Sequence, residues 1–275
     1  MPHTAYRDAV RTRPVGGPTG GTLCPVTTTI SVVNQKGGVG KTTTVASLGA
    51  ALVEREQRVL LVDLDPQGGL TFSLGIDPED LDVTVGDVLL GTQRADDAIV
   101  VTDDGVHLLP SNITVTQAEE GLVTRTGREQ RLRVALDKVA ADYDFILIDC
   151  PPTLGVLTVG ALSASDQVLI PLQAETLAHR GVGQLLETVN DVQQFINSDL
   201  RVWGVLPTMY DGRTKHAQAV VEAIGSTYEL PIISPAIPKS IRFAEAPAIG
   251  RSILGTQRTH KGADAYREVA AQLLG

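Results

Sequence analysis

Thr29-Ile30-Ser31-Val32-Val33-Asn34-Gln35-Lys36-Gly37-Gly38-Val39-Gly40-Lys41-Thr42-Thr43-Thr44 is the stretch on which the fold turns. A β-branched apolar run gives way to three glycines within four residues, and a helical pattern follows from Thr42 to Arg55. Strand, glycine loop and helix in that order form a phosphate-binding turn. Glycines let backbone N–H groups face phosphate oxygens, and the helix N-terminus adds the positive end of its dipole. In such a turn Lys41 reaches the β- and γ-phosphates and the Thr42 hydroxyl serves Mg²⁺. The candidate nucleotide-binding residues are therefore Gly37, Gly38, Val39, Gly40, Lys41, Thr42 and Thr43. A strict GxxxxGK[ST] spacing asks for glycine where Gln35 stands. Lys36 precedes Gly37-Gly38 instead, placing a second lysine at the entrance of the loop.

Further apolar runs read as strands at residues 58–63, 106–109, 145–149, 167–171, 202–207 and 231–234. Helical stretches at 128–141 and 181–196 lie between them. Strands apolar on both faces and separated by helices predict an α/β fold: a single-domain, doubly wound, mostly parallel sheet with helices on both faces, of the P-loop NTPase kind. That domain is expected over 27–275. Residues 1–26, with four prolines and no periodicity, are expected to form a flexible tail. Ligands of such sheets bind at the carboxyl ends of the strands. Asp63 and Asp65 stand at one such end, where a carboxylate can position water against a γ-phosphate. Asp149 closes the apolar run Phe145-Ile146-Leu147-Ile148, the usual form of a Walker B carboxylate that holds Mg²⁺ through water. Thr42 and Asp149 are candidate metal residues, and Lys41 with one of Asp63 and Asp65 candidate catalytic residues. No NKxD stretch is present, so ATP is expected rather than GTP.

Composition narrows the function classes. At 43% hydrophobic and 20% charged residues the chain is neither disordered nor fibrous, and no apolar run is long enough to span a membrane. Cys24 and Cys150 sit in no metal-binding spacing, and with no histidine near it in sequence Cys150 reads as a small core residue rather than a nucleophile. A cytoplasmic protein with reduced thiols is expected. The net charge of −9 is unevenly placed: residues 1–199 hold 14 Lys and Arg against 26 Asp and Glu, whereas residues 200–275 hold 9 against 6. A basic segment within an acidic chain points to a local rather than a global polyanion surface.

Lys36-Gly37-Gly38-Val39-Gly40-Lys41-Thr42-Thr43, Asp63-Leu64-Asp65-Pro66-Gln67-Gly68 and Ile148-Asp149-Cys150-Pro151-Pro152 together resemble the ParA/MinD family of deviant Walker ATPases, the ParA (Soj-like) branch most closely. The resemblance runs through Thr208-Met209-Tyr210-Asp211-Gly212-Arg213 and Ile237-Pro238-Lys239-Ser240-Ile241-Arg242, and covers roughly residues 28–274. It implies weak, partner-stimulated ATP hydrolysis with ATP and Mg²⁺ as cofactors. Lys36 is then the signature lysine that crosses a homodimer interface to the partner's nucleotide, and Asp65 orients the attacking water, which makes Lys36, Lys41 and Asp65 the candidate catalytic set and Thr42, Asp65 and Asp149 the candidate metal set. Met209 and Pro238 become parts of the adenine pocket. Physical reasoning about Lys36 agrees with this: a lysine at the loop's entrance points away from its own γ-phosphate, so a facing subunit can receive it as an arginine finger is received.

The same resemblance implies chromosome or plasmid partitioning, non-specific double-stranded DNA binding through Arg213 and Arg242, to which the basic segment adds Lys239 and Arg251, nucleoid association and a ParB-type centromere-binding partner. The alternative is an ATP-gated regulator or positioning adaptor acting on replication initiation or chromosome organisation with little turnover. A membrane role is not expected. The C-terminal stripe Tyr266, Val269, Ala270, Leu273 and Leu274 reads as core-facing, with few cations opposite it.

Overall fold

The strands pair in parallel because nearly all of them are apolar on both faces, which leaves them no solvated side. A computed structural model of the chain describes residues 27–175 and 178–275; the expected tail, 1–26 with Cys24, lies outside the described residues. Seven strands are formed: β1 (Thr28–Val32), β2 (Val59–Asp63), β3 (Val100–Val101), β4 (His107–Leu109), β5 (Phe145–Asp149), β6 (Gln167–Gln173) and β7 (Arg201–Thr208). They make one sheet in the order β3-β4-β2-β5-β1-β6-β7, parallel except for β3 against β4.

Side-chain alternation divides the core into two layers. Ile30, Val32, Leu61 and Leu147 face α1 (Lys41–Val53) and the C-terminal helix, where Tyr266, Val269 and Ala270 complete the packing. Leu60, Val62, Ile146, Ile148, Val168 and Ile170 face the other layer. There lie α2 (Val115–Val123), α3 (Val156–Ala164), α4 (Ala178–Phe195) and α5 (Lys215–Tyr228), while α6 (Lys261–Leu274) belongs to the first. Each fully buried Leu or Ile stabilises the fold by about 1.5–3 kcal/mol, so the two layers together anchor every central strand.

Three differences from the sequence expectation have local causes. Residues 231–234 do not form a strand; Val205 alone pairs with this segment, its N–H donating to Pro231 O and its carbonyl accepting from Ile233 N, each at 2.8 Å. The segment covers the free edge of β7 instead of extending the sheet. The expected helix at 128–141 breaks into a 3-10 turn, a helix at Arg131–Leu136 and a second 3-10 turn, which return the chain to β5. The short antiparallel β3 carries too few residues for any periodicity to show.

A bulge at Trp203 shifts the β6–β7 register, and Gly204 follows it. A Cβ there would lie 2.6 Å from Pro231 O and 2.8 Å from Ile233 Cδ1. Gly204→Ala is therefore expected to lower unfolding stability by about 1–3 kcal/mol, through overpacking against backbone that cannot retreat. Urea denaturation checks it, and an unchanged midpoint would show that the edge segment gives way.

Candidate nucleotide site

β1 delivers the glycine loop to the carboxyl edge of the sheet, and α1 begins directly after it. Gly38 and Gly40 adopt φ of 75° and 88°, a region in which L-residues are strained, so both glycines are required by the turn. Gly40 is the N-cap of α1 and no side chain caps the helix, so its first N–H groups face the loop's concave side. Two long-range bonds hold the loop's shape. Asn34 Nδ2 donates to Pro171 O at 2.7 Å while its Oδ1 accepts from Lys36 N, and Thr208 Oγ1 donates to Val39 O at 2.7 Å. Lys41 is buried, with Nζ 3.5 Å from Lys36 O. Unlike Gly38 and Gly40, Gly37 is not left-handed, and, as at Gly38, nothing lies within 4 Å of where its Cβ would be.

The acidic residues take three separate roles. Asp63 and Asp149 are register partners on β2 and β5, both buried. Thr71 N and Oγ1 donate to Asp63 Oδ2 at 2.9 and 2.8 Å, and Asp65 N donates to Oδ1 at 3.1 Å. Asp63 is thereby a clamp on the loop that follows it. Burial pushes its carboxyl up to about 6 against the lowering effect of those donors. Asp149 Oδ2 accepts from Thr42 Oγ1 at 2.7 Å, but buried Oδ1 has no partner. Its carboxyl is raised well above the ordinary range, first by burial and then by Asp63, with Thr42 and Lys41 opposing. A carboxyl with one unmet oxygen beside a threonine hydroxyl suits a hydrated Mg²⁺, which takes few protein ligands and whose charge would favour the ionised form. Among the described residues no group of three or more His, Cys, Asp or Glu is placed to hold a metal by itself. Asp65 lies on the loop between the clamp points, its Oδ1 accepting from Gln67 N at 3.0 Å. The turn after it reaches the phosphate loop, since a Cβ on Gly69 would lie 4.0 Å from Thr42 Oγ1.

On the loop's other side a cavity of about 420 Å³ is lined by Gly40, Thr43, Met209, Pro238, Phe243 and Tyr266 among others. Met209 has φ 48°, a strained value for this side chain that ends β7 at the cavity wall. Tyr266, on α6, hydrogen-bonds Thr44 beneath the loop at 3.0 Å and packs edge-on against Phe243. An apolar, flat-walled cavity next to a phosphate turn has the size and chemistry for a purine base. A wider cleft of about 630 Å³, lined by residues from 88–97 and 126–138, includes no residue of the phosphate loop.

Lys36 projects from the loop and pairs with Glu175, both side chains about half exposed. Three of the four cations expected at DNA sit in exposed ion pairs within the chain. Arg213 pairs with Asp211 at 2.9 Å, Arg242 with Glu245 at 2.7 Å and Arg251 with Asp103 at 3.2 Å, while Lys239 lies at the rim of the base-sized cavity. Sequence reading missed Thr71, Ser111, Thr208, Phe243 and Tyr266, whose contacts span up to 222 residues and leave no local pattern.

Comparison with known proteins agrees with this geometry. A family model described as an AAA domain matches residues 27–202. The sporulation initiation inhibitor protein Soj of Bacillus subtilis (strain 168) is 43% identical over 89% of this chain and 97% of its own length. The chromosome partitioning protein ParA of Myxococcus xanthus (strain DK1622) is 41% identical over 89% of this chain and 87% of its own. A Mycobacterium smegmatis crystal structure named cobyrinic acid a,c-diamide synthase, with bound ATP analog and magnesium, is 53% identical with a TM-score of 0.82, covering 90% of this chain and 95% of that one.

Removing the buried cation by Lys41→Ala is expected to abolish ATP binding in calorimetry, because no other side chain described beside the loop replaces its charge. Retained affinity would remove Lys41 from the site.

Proposed function

The chain belongs to the ParA/MinD family of deviant phosphate-loop ATPases, in its ParA branch, and we propose that it partitions DNA as an ATP-sandwich homodimer released from DNA on hydrolysis. It is an ATPase that uses ATP and Mg²⁺. The observation that carries the dimer is the outer face of the phosphate loop. Lys36 is held there only by an exposed ion pair, of a kind worth about 0–1 kcal/mol, and Gly37 opens onto empty space. Nothing among the described residues explains a glycine at 37, whereas a second loop packed against it would. Lys36 then exchanges Glu175 for the phosphates of the facing subunit and stabilises charge that develops there.

Within one subunit, the first turn of α1 and Lys41 hold the phosphates, and Thr42 with Asp149 holds the hydrated metal. Mg²⁺ held there would neutralise negative charge on the phosphates. Asp65 orients the attacking water, and together with Thr42 and Asp149 it would hold the metal. Met209, Pro238 and Phe243 hold the base. Because Asp65 acts after binding, Asp65→Ala is expected to keep ATP affinity, slow hydrolysis and trap a dimer visible by light scattering. A monomer at saturating ATP would contradict the sandwich.

DNA binding follows from doubling the basic segment. A single copy of net charge −9, with Arg213, Arg242 and Arg251 each facing a carboxylate, attracts phosphates weakly. Two copies together engage several phosphates, and each one neutralised adds about 0.9 to the salt slope. Binding is therefore expected to need ATP, to ignore sequence, and to weaken steeply with salt; a ParB-type protein is the expected stimulator and the nucleoid the expected location. No helix of the described residues is long and apolar enough to cross a membrane. Fluorescence anisotropy on two unrelated duplexes, with and without ATP, tests this, and Arg242→Glu should abolish binding without changing dimerisation. Nucleotide-independent binding would leave an ATP-gated adaptor as the better reading. Turnover that starts only when a carboxylate acceptor is added would point to the chemistry in the name of the smegmatis protein.

A further inference from the structure

We infer that Ser111 is a positioning residue for hydrolysis, fixing the loop that carries Asp65 against the phosphate loop; this rests on the reading that Asp65 orients the attacking water. Ser111 follows β4, which pairs with β2, so both strands end on one edge and their loops meet there. Its side chain is fully buried, and its Oγ donates to the Asp65 carbonyl at 2.8 Å. Its own N–H donates to Thr71 Oγ1 at 2.9 Å, and Thr71 in turn donates to Asp63. The loop from Asp63 to Thr71 is thus closed at both ends by one carboxylate and tied at its middle by one hydroxyl. Gly68 shows how tightly the two loops fit, since a Cβ there would lie 3.0 Å from Ser111 O.

A buried hydroxyl is retained only where it is bonded, and among the described residues this one bonds nothing but the backbone of the proposed catalytic residue. The Asp65 carbonyl accepts one other bond, from Gly68 N at 2.9 Å within the same turn. Among the described residues Ser111 therefore supplies the one side-chain tether on that carbonyl from outside the loop, and small displacements of an orienting group cost large factors in rate.

Single-turnover hydrolysis of MgATP tests the assignment. Ser111→Ala is expected to lower the hydrolysis rate about tenfold while ATP affinity stays within about twofold of the native chain. Ser111→Cys, which keeps the volume and offers a weaker donor, should fall between the two and serves if the alanine variant does not fold. In an Asp65→Ala background, Ser111→Ala should cause no further loss, because the group it positions is gone. A native rate in either single variant overturns the inference. So does a loss of ATP affinity in step with rate, or an undiminished tenfold loss in the Asp65→Ala background. Native hydrolysis by Asp65→Ala alone would instead remove the underlying role of Asp65, and the inference with it.

Discussion

Asp63 and Asp149 lie side by side on adjacent parallel strands, and neither carboxylate reaches solvent. Two buried acids that close repel, and burial of each is tolerable only where donors or cations meet it. The chain meets them unequally. Asp63 receives three donors and becomes a fixed post; Asp149 receives one hydroxyl and the field of Lys41, and keeps an oxygen unmet. That inequality separates a structural carboxylate from one suited to a cation, although both end similar apolar strands. It also makes the site depend on α1, because Thr42 and Lys41 are brought to Asp149 by the same helix start that presents its N–H groups to phosphate.

From this pair outward the site is held by hydroxyls. Thr208 fixes the phosphate loop from β7, Thr71 closes the Asp65 loop on Asp63, and Thr44 ties α1 to Tyr266 on α6. Each is buried; Thr208 and Thr44 bond groups 169 and 222 residues away, while Thr71 reaches back eight residues to Asp63 and also accepts from Ser111 N. Such bonds net only about 1 kcal/mol each, but leaving one partner unmet in the interior costs more than the bond itself contributes. The result is a rigid set of loops on one sheet edge, while the groups that face outward, Lys36 and the basic residues after 200, rest in exposed pairs that exchange partners readily.

The overall charge of −9 and the basic segment are reconciled by the same division. Cations on the surface are compensated locally in one copy of the chain, so a polyanion has to compete with Asp211, Glu245 and Asp103 for them. Competition of that kind is weak for one copy and effective for several acting together, through release of counterions.

The glycine loop, the acid-terminated strands and the two-faced apolar runs were legible because each is a contiguous pattern with one physical meaning: backbone freedom, a carboxylate at a strand end, burial on both sides. Strand order, the bulge at Trp203 and the reduction of residues 231–234 to an edge segment were not, since pairing energy depends on neighbours that no local stretch specifies. Lys41, Thr42 and Asp149 could be named from spacing alone. Which of Asp63 and Asp65 is the clamp and which faces outward could not, as both stand at the same strand end. Only the folded chain decides it, by bringing Thr71 and Ser111 to that edge and leaving the Asp65 carboxylate to its own turn. Sequence by itself determined the kinds of groups gathered at the carboxyl edge; the tertiary structure decided which of them are satisfied, because hydrogen-bond partners in a parallel sheet come from distant loops.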